Sequence, residues 1–420
     1  MPRFGYTCVL WLALPWVLVR LWWRARRQPG YRAHLGERFG AYALRTTAPT
    51  IWVHMVSVGE TRAAAPLVDA LRLRYPDHEL LLTCMTPTGR DAAVGLYGAT
   101  ARVVYLPYDY PFAVWRFLRH FRPRLCVLME TEIWPNLLAI CARQSIPVLL
   151  ANARLSERSA RRYRRFAALA RPAMATLAQV GAQSAQDAVR LTACGARHVV
   201  VTGNLKFDVV PDPVLIRQGR SWRAALDGRR LLLAASTREG EEHLLLRALR
   251  PLVDAGHLLL LVPRHPQRFD DVAALATALG YALGRRSTAA PPTPATQVWL
   301  GDSMGEMVAY YSAADCAYVG GTLLPFGGQN LIEAAACGCP VLVGPHTWNF
   351  AQATEDATLA GAALRVADAQ GAAAQMARLI GDENLRAQMA QAALRFAAVH
   401  QGATARTMAL IAPLLRPAIA

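Results

Sequence analysis

A chain of 420 residues, 54% apolar and only 18% charged, is long enough for two domains with separate cores and too apolar to be disordered. Its formal net charge of +17, carried almost entirely by arginine, admits nucleic acid, an anionic membrane or acidic substrates as partners. Eight cysteines without a CxxC pair, most of them in apolar runs, read as small core residues in a reducing compartment, not as a disulfide framework or a zinc site.

Phe4 to Val19 is a run of sixteen uncharged residues, FGYTCVLWLALPWVLV, extended to Trp23 if Arg20 snorkels. This approaches the roughly 20 residues of a spanning helix, with Trp22 and Trp23 suited to the headgroup zone and Pro15 expected to kink it. The run ends in WWRARR, without a small-residue cleavage site, so residues 1–30 are expected to stay as a membrane anchor. Arg20, Arg24, Arg26 and Arg27 then favour the cytoplasm for the domain behind them, and favour a membrane over nucleic acid as the partner. A run this short with a proline suits either a span or a helix lying in one leaflet.

From Thr50 the pattern becomes repeated strand–helix units. Ile51 to Val56 reads as a strand, followed by SVGET and a helix to Arg74. Further short apolar runs stand at Leu80–Thr83, Val103–Leu106, Leu125–Met129, Val148–Ala151 and Val199–Val201, a pattern that predicts a parallel sheet covered on both faces. Arg154 to Arg171 carries seven arginines, several on one helical face, which is either a solvated surface or one turned to anionic lipid. Asp208 to Asp212, flanked by Pro213, reads as a linker. A second series of strands stands at Leu231–Ala235, Leu258–Val262, Gln297–Leu300, Ala317–Val319 and Pro340–Val343, with a flexible loop at Thr288–Thr296. The expected fold class is α/β: two similar domains, at 31–208 and 209–420, with ligands at the carboxyl ends of the strands.

Chemistry-bearing residues gather after strands. Glu60, in Ser57-Val58-Gly59-Glu60-Thr61, can take a proton from an attacking hydroxyl, although Ser57-x-x-Glu60 is also a capping box and a helix N-terminus lowers carboxylate basicity. Glu130 and Glu132 flank a strand end beside Trp134, where carboxylates are costly unless paired or used. Without a DxD or a histidine cluster, no metal is expected. Lys206 can reach an anionic group or pair with Asp208. In the second half, Ser236–Glu241, Pro263–Arg268, Gly301–Glu306 and the glycine-rich Gly320–Pro345 stretch each come after a strand. Glycines let backbone amides approach a phosphate, and Glu333, in a helix expected from Asn330 to a stop at Gly338, can accept both hydroxyls of a ribose. Asn330-x-x-Glu333 is equally the spacing of a capping box.

Taken together, YRAHLGERFG, SVGET, METEIWPN, ANARLSERSA, TGNLKFD, ASTREGEE, VPRHPQRF, GDSMGEM and GGTLLPFGGQNLIEAAACGCPV resemble the 3-deoxy-D-manno-octulosonic acid (Kdo) transferases of Gram-negative bacteria along nearly the whole chain. The resemblance implies a GT-B architecture, no cofactor, and transfer of Kdo from CMP-Kdo to a tetra-acylated lipid A precursor with inversion, at the cytoplasmic side of the inner membrane. It implies Glu60 as general base and Glu130 and Lys206 as transition-state stabilisers. It places CMP at Pro263, Arg264, Met304, Gly305, Glu306, Asn330, Leu331, Ile332 and Glu333. Departures are Gln329 and Arg238, where the family often has histidine, and Ala335, where it often has proline; Arg238 cannot act as a neutral proton acceptor. A GT-B enzyme with another nucleotide sugar is the nearest alternative reading. A non-catalytic, membrane-anchored nucleic-acid-binding protein is the other, and it leaves the strand-end loops unexplained.

Overall fold

The computed structural model describes residues 2–43, 46–288 and 291–415. Ala289 and Ala290 of the expected loop, and the few remaining residues of the expected domain ranges, lie outside them. The chain forms two compact units, of which the second is Val210–His400; the first runs through Val209 and takes up the chain again from Gln401.

The first unit holds a seven-stranded sheet built from β1 (Thr50–His54), β2 (Glu79–Cys84), β3 (Arg102–Tyr105), β4 (Pro123–Met129), β5 (Val148–Ala153), β6 (Gln179–Ala182) and β7 (Val199–Val201). Their order is β3-β2-β1-β4-β5-β6-β7, every pair parallel. Alternation explains why apolar runs make strands here: Trp52, Leu81, Cys126 and Leu150 enter one core, whereas Ile51, Val53, Leu82, Val127 and Leu149 enter the core on the other face. The second unit repeats the plan with β8 (Leu231–Thr237), β9 (Leu258–Pro263), β10 (Leu283–Arg285), β11 (Val298–Leu300), β12 (Cys316–Val319), β13 (Val341–Val343) and β14 (Ala363–Arg365). Its parallel order is β10-β11-β9-β8-β12-β13-β14. All eight cysteines are free, six of them buried.

Several expected elements differ. The helix expected to Arg74 is two, Val58–Ala63 and Ala65–Arg74, because Pro66 opens the second. The arginine-rich segment is likewise divided at Phe166 into Glu157–Arg165 and Ala167–Met174. The N-terminal helix Pro2–Arg27 runs through Pro15 without a break and is long and apolar enough to cross a membrane. It also holds to the first unit: Tyr6 donates to Asp109 (3.0 Å), Thr7 to Asn136 (3.1 Å), and Trp11 stacks on Phe112.

The second domain was expected to run to residue 420, and this is corrected. Helix Ala403–Ile411 buries Ala403 and Ile411 in the first unit's core with Ile51, Val53 and Leu205. Asp208 accepts from the Gly402 N–H (2.6 Å) and the Thr404 N–H, and Arg406 Nε donates to the Thr202 carbonyl at 2.7 Å.

Candidate active site

In the first sheet the chain reverses its direction of growth between β1 and β4, and the loops leaving those two strands stand at the carboxyl edge, where open α/β sheets take their ligands. Ser57 caps the helix after β1, and Glu60, 9% exposed, folds back over the cap. Glu60 Oε2 accepts from the Val56 N–H (2.8 Å) and Oε1 from Ser57 Oγ (3.0 Å). This is close to the reciprocal capping arrangement, so the local reading is correct as structure. It does not set the acidity. Burial first, and then the negative charge of Glu130, push the Glu60 carboxyl up to about 7, with Glu132 adding to the rise; the bonds from Val56 and Ser57 only partly oppose it. A carboxyl that titrates near neutrality is matched to accepting a proton.

Glu130 stands at the first position after β4 with φ 57°, a left-handed conformation that a residue other than glycine adopts only when its surroundings hold it there. Lys206 Nζ lies 3.8 Å from Glu130 Oε1, so Glu60, Glu130 and Lys206 are gathered at one sheet edge. Asp208, the other partner considered for Lys206, is turned to the amides of Gly402 and Thr404. Glu132 accepts from Trp134 Nε1 (2.8 Å), and burial raises its pKa in spite of that bond. Sequence reasoning missed Asn152, whose Oδ1 accepts from the Leu205 N–H at 3.0 Å and so places the turn carrying Lys206. The only signal for it was its position in ANARLSERSA. Among the described residues no three His, Cys, Asp or Glu side chains gather as metal ligands.

The second unit has the same reversal between β8 and β12. A Cβ on Gly320 would sit 2.4 Å from the Ser236 carbonyl oxygen, so this loop approaches β8 as only glycine permits. Arg264, next after Pro263 at the end of β9, donates from Nε to Gln329 Oε1 at 3.1 Å, joining the β9 and β12 loops. Arg238 lies over the Phe326 ring, 4.6 Å from its centre. His265, between Arg238, Arg264 and Arg268, has its pKa lowered by burial first and then by these three cations. The helix expected from Asn330 begins instead at Ile332 and has five residues, because Asn330 Oδ1 accepts from the Ile332 N–H (3.1 Å) in a turn that delays it. Leu331 and Ile332 are buried; Glu333 is half-buried and contributes to raising the pKa of Tyr311, after burial. Met304 is exposed and Gly305 takes a positive φ of 87°. The Glu306 carboxylate is already engaged by Arg286 (2.7 Å), Gln218 (3.2 Å) and the Ser303 hydroxyl. Burial alone would raise its pKa, but these partners outweigh it and lower the value.

Comparison with known proteins agrees with this arrangement. Residues 33–209 match the model of the 3-deoxy-D-manno-octulosonic-acid transferase family, and residues 285–396 match that of glycosyl transferases group 1. The chain is 45% identical to the 3-deoxy-D-manno-octulosonic acid transferase of Bordetella pertussis, over 97% of this chain and 98% of that protein. It is 37% identical to the enzyme of the same name from Haemophilus influenzae, over 99% of both. A solved glycosyltransferase from Rickettsia africae is similar in fold, with a TM-score of 0.61 at 13% identity, over 89% of this chain and all (100%) of that one. Two parallel-sheet α/β units of this kind are the GT-B architecture, and the chain belongs to the family of 3-deoxy-D-manno-octulosonic acid transferases.

Proposed function

We propose that the protein moves Kdo from CMP-Kdo to a tetra-acylated lipid A precursor, with inversion at the anomeric carbon. Glu60 accepts the proton of the acceptor hydroxyl as its oxygen attacks that carbon and CMP departs. The Glu130 carboxylate offsets the positive charge developing on the sugar, and Lys206 the negative charge on CMP or on the Kdo carboxylate. Pro263, Arg264, Met304–Glu306 and Asn330–Glu333 bind the CMP portion. The observation that carries this reading is the placement of a buried Glu60 beside the Glu130–Lys206 pair at the switch point of the first sheet, with the Glu60 carboxyl pushed up to about 7. The apolar N-terminal helix and the exposed arginines of Glu157–Arg165 support residence at an anionic membrane, with the two units on the cytoplasmic face of the inner membrane.

The test is incubation of the purified protein with CMP-Kdo and a tetra-acylated acceptor. The acceptor should gain the mass of Kdo while CMP is released. Turnover of a different nucleotide sugar in a donor panel, with CMP-Kdo left intact, would overturn the donor assignment.

A further inference from the structure

The glycine-rich turn after β12 invites the expectation that its amides cradle a phosphate. Those amides already hold an anion belonging to the chain. Glu241, with no exposure to solvent, accepts at Oε2 from the Gly321 N–H (2.6 Å) and the Arg238 N–H (2.9 Å). At Oε1 it accepts from the Thr322 N–H (3.0 Å), the Leu323 N–H (3.0 Å) and the Tyr318 hydroxyl (2.6 Å). Five donors thus converge on one carboxylate, and the network continues. Tyr318 Oη also accepts from Leu323 N–H (2.9 Å) and Thr322 Oγ1 (3.0 Å), and Thr322 Oγ1 accepts from the Gly344 N–H after β13 (2.9 Å). One buried side chain from the helix Glu241–Asp254 therefore fixes the β8 and β12 exits, and through Thr322 the β13 exit as well.

We propose that Glu241 is a positioning residue: a built-in anion that fills the amide nest of Gly321–Leu323 and sets the shape of the loop that carries Gln329 and Asn330 to the donor nucleotide. The donor's own anion is then left to side-chain cations at this edge, Arg264 and Arg238, and not to those three amides. An ionised carboxylate is required, since an amide at this position turns an NH2 group toward two converging N–H donors. The role rests on the CMP-binding reading above, but the occupancy of the nest does not.

The experiment compares full-length wild type, Glu241→Gln and Tyr318→Phe by hydrogen exchange across residues 318–331, by calorimetric titration with CMP, and by steady-state kinetics. In Glu241→Gln the amides of Gly321–Leu323 should exchange faster while β8 and β9 stay protected. CMP affinity should fall roughly tenfold, and donor KM should rise more than kcat falls. Tyr318→Phe keeps the charge and removes one donor, so it should fold and show the same changes at smaller size; it decides the matter if Glu241→Gln does not fold. Unaltered loop exchange in a folded variant would overturn the nest assignment. Faster exchange with unaltered CMP affinity would overturn the positioning role. If wild type itself does not bind CMP, the donor reading and the positioning role fail together, and the exchange arm still decides whether Glu241 holds the loop.

Discussion

Glu60 closes a helix end, and the proposed reading also asks it to accept a proton; burial and the charge of Glu130 make the two compatible by lifting its carboxyl from an ordinary 4.5 to about 7. Replacing it by Gln keeps the cap and removes the base, so the rate should fall by roughly 10²–10⁴ with fold and CMP affinity intact. The pKa is raised on folding, so the cost of burying the ionised form is absent below about 4.5 and complete above about 7. Glu60→Gln should therefore melt at a higher temperature than wild type at pH 8, by a stability gain of at most about 3 kcal/mol, and at the same temperature at pH 4. A folded Gln variant with wild-type turnover would move suspicion to Glu130 or Glu132. The like charge of Glu130 is the second cause of the shift, so Glu130→Gln should displace the acidic limb of kcat/KM from near pH 7 to lower pH, besides lowering the maximum. A limb that stays in place would show that Glu130 acts on the transition state alone.

At the scale of elements, the strands richest in Leu, Val and Ile were legible, because both faces of a parallel sheet are buried and a near-continuous apolar run is then the only option. The strands missed were Gln179–Ala182, Leu283–Arg285 and Ala363–Arg365, each of three or four residues; the last two lie at the edges of the second sheet, where burial asks less of the sequence. The site loops were legible as strand exits, and the structure places Glu60 and Lys206 beside Glu130. The roles of Glu241 and Glu242 were not legible: Ser236–Glu241 was legible only as a loop opening a helix, without the burial of its carboxylate. In fact Glu242 is fully buried and grips Arg268 at 2.6 and 3.1 Å, and nothing local in sequence announces a carboxylate whose partners lie 26 or 80 residues away. The arginine-rich helix exposes Arg158, Arg161 and Arg165, with Phe166 protruding at its end. Changing these three arginines to Gln should weaken binding to anionic vesicles by about 1 kcal/mol per arginine near the surface, and added salt should have a similar effect. Equal affinity of variant and wild type at low salt would make them a solvated face only.

For the molecule as a whole, the unexpected element is the return of the chain to its first unit after His400. A version ending at His400 loses the partners of Asp208 and Thr202, and with them the support of the turn that carries Lys206. It should melt earlier in the first unit and lose turnover, while CMP still binds to the second unit. Loss of CMP binding with a well-folded first unit would contradict this.

The same return dictates an order of events on the ribosome. Ala403 and Ile411 belong to the core that Ile51, Val53 and Leu205 begin, so that core lacks two of its buried side chains until residue 411 has been synthesised. The second unit, Val210–His400, is contiguous and can close its own core while the first still waits. The second unit can therefore complete its core before the first does, although the first begins earlier in the chain.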